Sequence, residues 1–394
     1  MTDALARRLG TVDAVFIGVG SMVGAGVFAV WGPAARAAGG GLLIGLGVAA
    51  VVAYCNATSS AQLAAEYPTS GGTYIYGRER LGDWWGFLAG WGFVVGKTAS
   101  CAAMALTFAA YAAPAGWAKP CAIAAVLALA AVNYRGVTRT AGLTRILVTI
   151  VLVILAVTVT VTLLHAAEPI KPALPWHGVL QSAGLLFFAF AGYARIATMG
   201  EEVRDPERTI PRAILIALGI AVAVYAIVGV ALLLRFGPER LAGLTAPLAD
   251  AGPGPLVRAG AAIASLGALL ALIAGVGRTA LAMARHGDLP EALAAVHPRF
   301  HVPHRAELGL AAVVCAIILV FDVRAAIGFS SFGVLLYYFV ANVAAFTQRR
   351  RRFPRVLQVL GAAGCLTLVA SLPWPSILEG TLVFVAGVIY RLVR

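Results

Sequence analysis

Three basic residues stand inside or at the ends of long apolar runs: Lys97, Arg195 and Arg278. A charge at the centre of a hydrocarbon layer costs about 3 kcal/mol or more, so each needs a partner or a task. Lys97 is either a group that exchanges a proton as its surroundings open and close, or a buried lysine that snorkels or is held by a backbone carbonyl; both readings stay open. Arg195 reads first as a structural charge seeking a partner, and second as a contact for an anionic ligand. Other patterns imitate chemistry without supporting it. Gly96, Lys97 and Thr98 look like the end of a phosphate-binding loop, but position 91, where that loop needs glycine, holds Trp91, and no strand precedes it. His297, His301 and His304 have metal-like spacing, yet they lie in a proline-containing segment with no nearby cysteine, so no metal is expected. No motif places a Ser, His and Asp set or a Cys and His set for nucleophilic attack. The chain is therefore read as not an enzyme, and no cofactor is expected.

The second informative pattern is glycine. Glycine costs a helix interior about 1 kcal/mol relative to alanine, so a cluster in one apolar run needs a reason. Gly18, Gly20, Gly24 and Gly26 put four glycines into nine residues of the first run. Close packing through the Gly20 and Gly24 pair is the bland explanation. A second interruption changes that balance: the run from Phe187 to Tyr193 contains Gly192 and is followed directly by Arg195. By apolar-run count the two interruptions are five segments apart, so they traverse a membrane in opposite directions, the pattern of an inverted repeat with its site at two broken helices. Unwinding frees backbone N–H and C=O groups, tolerated only around a cavity or inside protein. Half-helix N-termini suit a carboxylate, and free carbonyls suit an ammonium. A zwitterionic α-amino acid matches both.

The elements that must position these residues follow from composition. The chain has 394 residues, 61% hydrophobic and 12% charged, against about 25% charged in an average soluble domain. Roughly 20 apolar residues make one helical crossing. The charge spacing gives twelve crossings: 12 to 36, 39 to 65, 85 to 112, 119 to 134, 142 to 164, 178 to 199, 210 to 235, 256 to 284, 306 to 322, 325 to 347, 355 to 372 and 375 to 391. Their long runs lack the alternation of barrel strands. The net charge of +13 is topological and does not point to nucleic acid. With the N-terminus inside, inside segments hold 20 of the 30 basic residues: Arg7, Arg8, Arg78, Arg80, Arg135, Arg139, Arg145, Arg204, Arg208, Arg212, Arg285, Arg299, Arg305, Arg349 to Arg352, Arg355, Arg391 and Arg394. Outside segments hold seven: Arg36, Lys119, Lys171, Arg235, Arg240, Arg258 and Arg324. Both termini are expected in the cytoplasm, with the protein multi-pass in the plasma membrane. The first run is too long and too glycine-rich for a signal peptide. The five cysteines, Cys55, Cys101, Cys121, Cys315 and Cys365, read as small core residues.

Four stretches resemble the amino acid, polyamine and organocation (APC) transporter family. They are Gly20 to Phe28 (GSMVGAGVF), Glu66 to Tyr76 (EYPTSGGTYIY), Phe187 to Tyr193 (FFAFAGY) with Gly200 to Pro206 (GEEVRDP) and Ile210 to Ile214 (IPRAI), and Arg278 with Ala282 to Pro290 (AMARHGDLP). The resemblance implies an all-α membrane fold of two inverted five-helix repeats, residues 1–165 and 166–347, plus two accessory helices in 348–394, working by alternating access. It places a substrate carboxylate on the backbone of Gly24, Ala25 and Gly26, and the amine on the carbonyls of Val23, Phe188 and Ala191. Phe188 becomes the outer gate, and Phe190, Gly192 and Tyr193 complete the substrate-binding set. One departure stands out. Proton-linked members of the family place a lysine in the fifth crossing, but residues 146 to 164 carry no charge, which leaves Lys97 as the coupling candidate.

No Asp or Glu falls at the middle of any crossing, and a cationic side chain would call for a counter-charge. The expected substrate is therefore a neutral amino acid, moved with a proton or by exchange. A basic amino acid or polyamine exchanger, or a non-transporting amino acid sensor, are the alternatives. Glu201, Glu202, Arg204, Asp205, Glu207, Arg208 and Arg212 read either as a solvated linker or as ion pairs that close an inner gate. Substrate identity, coupling ion, direction of flux and oligomeric state are not fixed by the sequence.

Overall fold

The computed structural model describes residues 9–69, 71–136, 141–166, 168–169 and 175–393. Of the charges used above for orientation, Arg7, Arg8, Arg139, Lys171 and Arg394 lie outside these residues. Among the described residues the chain is helical throughout, with a single isolated bridge between Leu9 and Val203.

The first crossing is split into α1 (Thr11–Met22), α2 (Gly26–Ala29) and α3 (Trp31–Ala38). Then come α4 (Leu42–Glu66), α5 (Thr73–Leu81), α6 (Asp83–Ala112), α7 (Ala118–Tyr134) and α8 (Ala141–Leu164). The sixth crossing is α9 (Trp176–Phe190), a tight 3-10 turn Ala191–Tyr193, and α10 (Ala194–Ala197). The rest are α11 (Pro206–Gly243), α12 (Pro247–Ala251), α13 (Gly254–Arg285), α14 (His304–Val320), α15 (Val323–Phe346), α16 (Arg355–Ser371) and α17 (Trp374–Val393).

Among the described residues, nine helical stretches are long and apolar enough to cross a bilayer. The helices α7, α14 and α16, each of 17 residues, lie where the fourth, ninth and eleventh crossings are expected. At 1.5 Å per residue each is about 26 Å long, near the short end of a spanning length. Leu360 on α16 and Leu382, Val385 and Ile389 on α17 face outward. Such an apolar exterior suits lipid as the solvent.

With lipid outside, burying apolar side chains gives little drive for association, so helices pair where small residues allow close contact. The pairing of α6 with α15 shows this. A methyl group at Gly333 would sit 2.8 Å from Gly92 O and 2.9 Å from Gly96 Cα, so neither helix tolerates a side chain there. Buried polar groups tie α4 to α15: Ser59 Oγ donates to Asn342 Oδ1 at 2.7 Å, and Asn342 Nδ2 to Asn56 Oδ1 at 2.6 Å.

The helix α5 departs from the sequence reading, which gave no helix to that segment. Its hydroxyl-bearing face is tied down by a buried carboxylate, Asp288, just beyond α13. Tyr74 Oη donates to Asp288 Oδ2 at 2.7 Å, Arg78 Nη1 reaches the same oxygen at 3.0 Å, and Arg391 from α17 pairs with Oδ1. Burial, together with the bond to Asp288, pushes the Tyr74 hydroxyl above the ordinary phenol range and keeps it a donor.

Candidate functional site

The two interrupted helices meet at their breaks. α1 stops at Met22, and Val23 to Ala25 are non-helical before α2 begins at Gly26. A side chain at Gly192 would strike the carbonyl group of Ser21 and approach Met22 N at 2.7 Å. Only a residue without Cβ allows the two backbones to lie this close. The sixth-crossing break is a tightened turn, whereas the first is open over three residues.

Freed backbone carbonyls find donors in side chains, as they must away from water. Tyr225 Oη on α11 donates to Met22 O at 2.9 Å, and Tyr111 Oη on α6 to Phe28 O at 3.1 Å. At the second break, Lys97 Nζ on α6 donates to Ala191 O at 3.1 Å, with Tyr338 Oη on α15 at 3.4 Å from the same oxygen. Lys97 is 6% exposed, so of the two sequence readings the backbone-carbonyl contact is present. That carbonyl is also the acceptor expected for a substrate amine.

Two neighbouring spaces that share lining residues adjoin the breaks. A cavity of about 70 Å³ is lined by Ser21, Lys97, Phe188, Ala191, Gly192 and Arg195, among others. A vestibule of about 420 Å³ runs between α1, α8 and α13 to Leu9 and Glu202 at the arginine-rich end. Val23 and Gly24 line the vestibule, and Arg195 and Arg278 line both spaces. At the mouth, Arg145 Nη2 on α8 pairs with Asp13 Oδ1 on α1 at 2.6 Å. The opposite side of the break is packed: the rings of Phe28 and Tyr111 meet edge to face at 5.5 Å, and Arg258 Nη1 donates to Tyr111 O at 2.9 Å. The site thus opens toward the arginine-rich end.

The expected site residues divide accordingly. Val23, Gly24, Phe188, Ala191, Gly192, Lys97 and Arg195 come together around these spaces. Ala25, Gly26, Phe190 and Tyr193 are buried and line neither. Gly26 is enclosed by Tyr225 and Ala189, Phe190 packs on Tyr225 with ring centroids 5.3 Å apart, and Tyr193 meets Tyr338 in a tilted ring contact at 5.1 Å. Arg195 has partners in Thr198 Oγ1 at 3.2 Å and Glu202 at 3.7 Å. The charged stretch after α10 and the start of α11 bond to segments distant in sequence: Leu9 N donates to Glu202 O at 3.1 Å, Arg204 N to Leu9 O at 2.9 Å, and Arg352 Nη1 to Glu207 O at 2.6 Å.

Sequence reasoning missed Phe93 and Ser100, which share the small cavity with Lys97. Their spacing of four before and three after Lys97 puts them on its helical face, a signal that was available. Tyr225 and Tyr338 carried no such signal. The histidines His297 and His304 pack with Tyr134 as an aromatic cluster, and among the described residues no group of acidic, His and Cys side chains could hold a metal ion.

Interrupted membrane helices that meet at a largely apolar cavity holding Lys97 and Arg195 are the architecture of a membrane transporter. A profile described as amino acid permease matches residues 9–390, and the chain belongs to that family. It is 60% identical to an uncharacterised transporter of Mycobacterium tuberculosis, over 98% of this chain and 91% of the relative. It is 26% identical to the branched-chain amino acid permease BcaP of Bacillus subtilis, over 95% of this chain and 90% of that protein. With human cationic amino acid transporter 4 it shares 29% identity, over 87% of this chain and 60% of the relative.

Proposed function

We propose that this protein is a secondary transporter of α-amino acids without a cationic side chain, the neutral ones included, working by alternating access through the cavity at the two breaks. Its frame would be twelve crossings in two inverted repeats, residues 1–165 and 166–347, with 348–394 accessory. Both termini would be cytoplasmic in the plasma membrane, so the vestibule opens inward. Backbone of Gly24 to Gly26 would take the carboxylate, and the carbonyls of Val23, Phe188 and Ala191 the amine, with Phe188 closing the outer side. The relatives' names span branched-chain and cationic substrates, so similarity does not choose the side chain. Charge does: Lys97, Arg195 and Arg278 line the cavity, and a further cation there is repelled.

The observation that carries the reading is the bond from Lys97 Nζ to Ala191 O. A protonated Lys97 on that carbonyl repels a substrate ammonium brought to the same oxygen, so the proton on Lys97 and the amine at Ala191 O oppose each other. That opposition is a route by which proton movement and substrate movement become linked. The test is Lys97→Met in sealed proteoliposomes. Amino acid exchange is expected to persist while accumulation driven by a proton gradient disappears. Unchanged gradient dependence would remove Lys97 from coupling.

A further inference from the structure

The turn between α15 and α16 gathers more charge than its place in the fold requires. Arg349, Arg350, Arg351, Arg352 and Arg355 put five arginines into seven residues, and residues 323 to 378 contain no Asp or Glu. Topology asks only on which side basic residues lie, not that one turn collect them. All five are exposed, and among the described residues none forms an ion pair. Arg351 Nε donates to Gln348 O at 2.9 Å and Arg352 Nη1 to Glu207 O at 2.6 Å. Neighbouring acids do not neutralise the turn. Glu66 faces Arg80 at 3.5 Å and bonds to Gln348, Asp205 lies 4.0 Å from Arg208, and Glu207 gives the turn its backbone oxygen while its side chain stays exposed.

Apolar surface continues directly from these charges. Phe346 at the end of α15 is exposed, and so are Val356, Val359 and Leu360 at the start of α16. Their spacing of three and four residues puts the last three on one helical face. Arg355 Cζ lies 4.9 Å from the centre of the Phe346 ring, so charge and apolar surface meet where the two helices end. A guanidinium fork matches two oxygens of a phosphate and is more weakly hydrated than an ammonium, which suits it to a phosphodiester at a membrane surface. Arginines gathered just beyond a membrane helix, beside a lipid-facing stripe, match the headgroup and the acyl chain of one anionic phospholipid.

We propose that the α15–α16 turn binds the headgroup of an anionic phospholipid in the leaflet at the arginine-rich end, with an acyl chain along the exposed face of α16. None of these residues lines the two spaces at the helix breaks. The lipid is therefore a partner of the fold and not a cargo. It supplies the anion that the five arginines lack among the described residues.

The test titrates the purified full chain in detergent with phosphatidylglycerol, phosphatidylcholine or soluble glycerol 3-phosphate while the melting midpoint is read. Native mass spectrometry counts the lipid retained. Phosphatidylglycerol is expected to raise the midpoint saturably and to stay bound, and the other two to do neither. Near an anionic headgroup each arginine gives about a fivefold gain in binding, so Arg349→Gln with Arg350→Gln is expected to raise the half-saturating phosphatidylglycerol concentration at least tenfold. Both side chains are exposed, without a hydrogen bond or ion pair among the described residues, so the fold does not depend on them. Arg285→Gln with Arg299→Gln removes the same charge from exposed positions at the same end and is expected to change that concentration less than about threefold. Equal losses in the two double variants overturn the site, since diffuse attraction to the surface would then suffice. Phosphatidylcholine or glycerol 3-phosphate acting as well as phosphatidylglycerol overturns it too, in favour of an apolar face alone or a soluble anion. Neither a shift nor retained phosphatidylglycerol overturns it outright.

Discussion

The substitution Gly192→Ala tests whether the two breaks touch. The added methyl would meet the carbonyl carbon and oxygen of Ser21, and Met22 N at 2.7 Å. All are backbone atoms, so no side-chain rotation relieves the overlap, and ordinary contact needs about 3.5–4.0 Å between heavy atoms. The half-helices must separate. Overpacking a tight contact costs about 1–3 kcal/mol, which is roughly a 5- to 150-fold loss of the state in which the breaks are joined. The companion change Gly219→Ala on α11 adds the same methyl group where nothing lies within 4 Å. It should be neutral, or stabilising by up to about 1 kcal/mol through helix propensity. Initial exchange rates in proteoliposomes and melting midpoints in detergent measure both. The expected result is Gly192→Ala slowed at least fivefold and melting lower, with Gly219→Ala unchanged in rate. Wild-type exchange and melting for Gly192→Ala would refute the junction.

Two other perturbations follow from the packing. A methyl group on Gly26 would lie 2.5 Å from Tyr225 Oη and 3.0 Å from Ala189 Cα, so Gly26→Ala should lower the melting midpoint. Combining it with Tyr225→Phe should recover part of that loss even though Tyr225→Phe alone costs about 1 kcal/mol by freeing Met22 O; strictly additive losses would contradict the contact. At the arginine-rich end, Asp288→Asn removes the charge that Tyr74, Arg78 and Arg391 share. Breaking a buried pair from one side costs roughly 3 kcal/mol, so proteolysis near α5 and α17 should accelerate; an unchanged cleavage pattern would show that the cluster does not hold those helices.

The crossings were legible because charges punctuate a nearly continuous apolar chain, and glycine marked both breaks. What the sequence concealed was phase and convergence. Phe188 and Phe190 are two residues apart, about 200° around a helix, so one faces the cavity while the other packs on Tyr225. A search for membrane crossings passes over α5, whose Arg78, Glu79 and Arg80 interrupt any apolar run; the carboxylate that ties it down, Asp288, lies far along the chain. Ala191 is 94 residues from Lys97, and no local signal joins them. The lean toward neutral substrates used the lack of mid-membrane acids. The meeting of Arg195 with Arg278 at Glu202, on helices far apart in sequence, is something no linear reading reveals.

The most direct test of the account is uptake of labelled amino acids by the purified protein in sealed liposomes, with and without an inward proton gradient, beside Gly24→Val. A methyl group at Gly24 would already lie 2.9 Å from Ala268 Cβ and from Gly20 O, so valine overpacks the wall of the site where α1 meets α13, and the melting midpoint is read beside uptake to separate lost transport from lost folding. The expected result is saturable uptake by the wild-type protein, abolished in Gly24→Val. No uptake or exchange of any amino acid under any gradient or preloading would contradict the claim that this cavity moves amino acids.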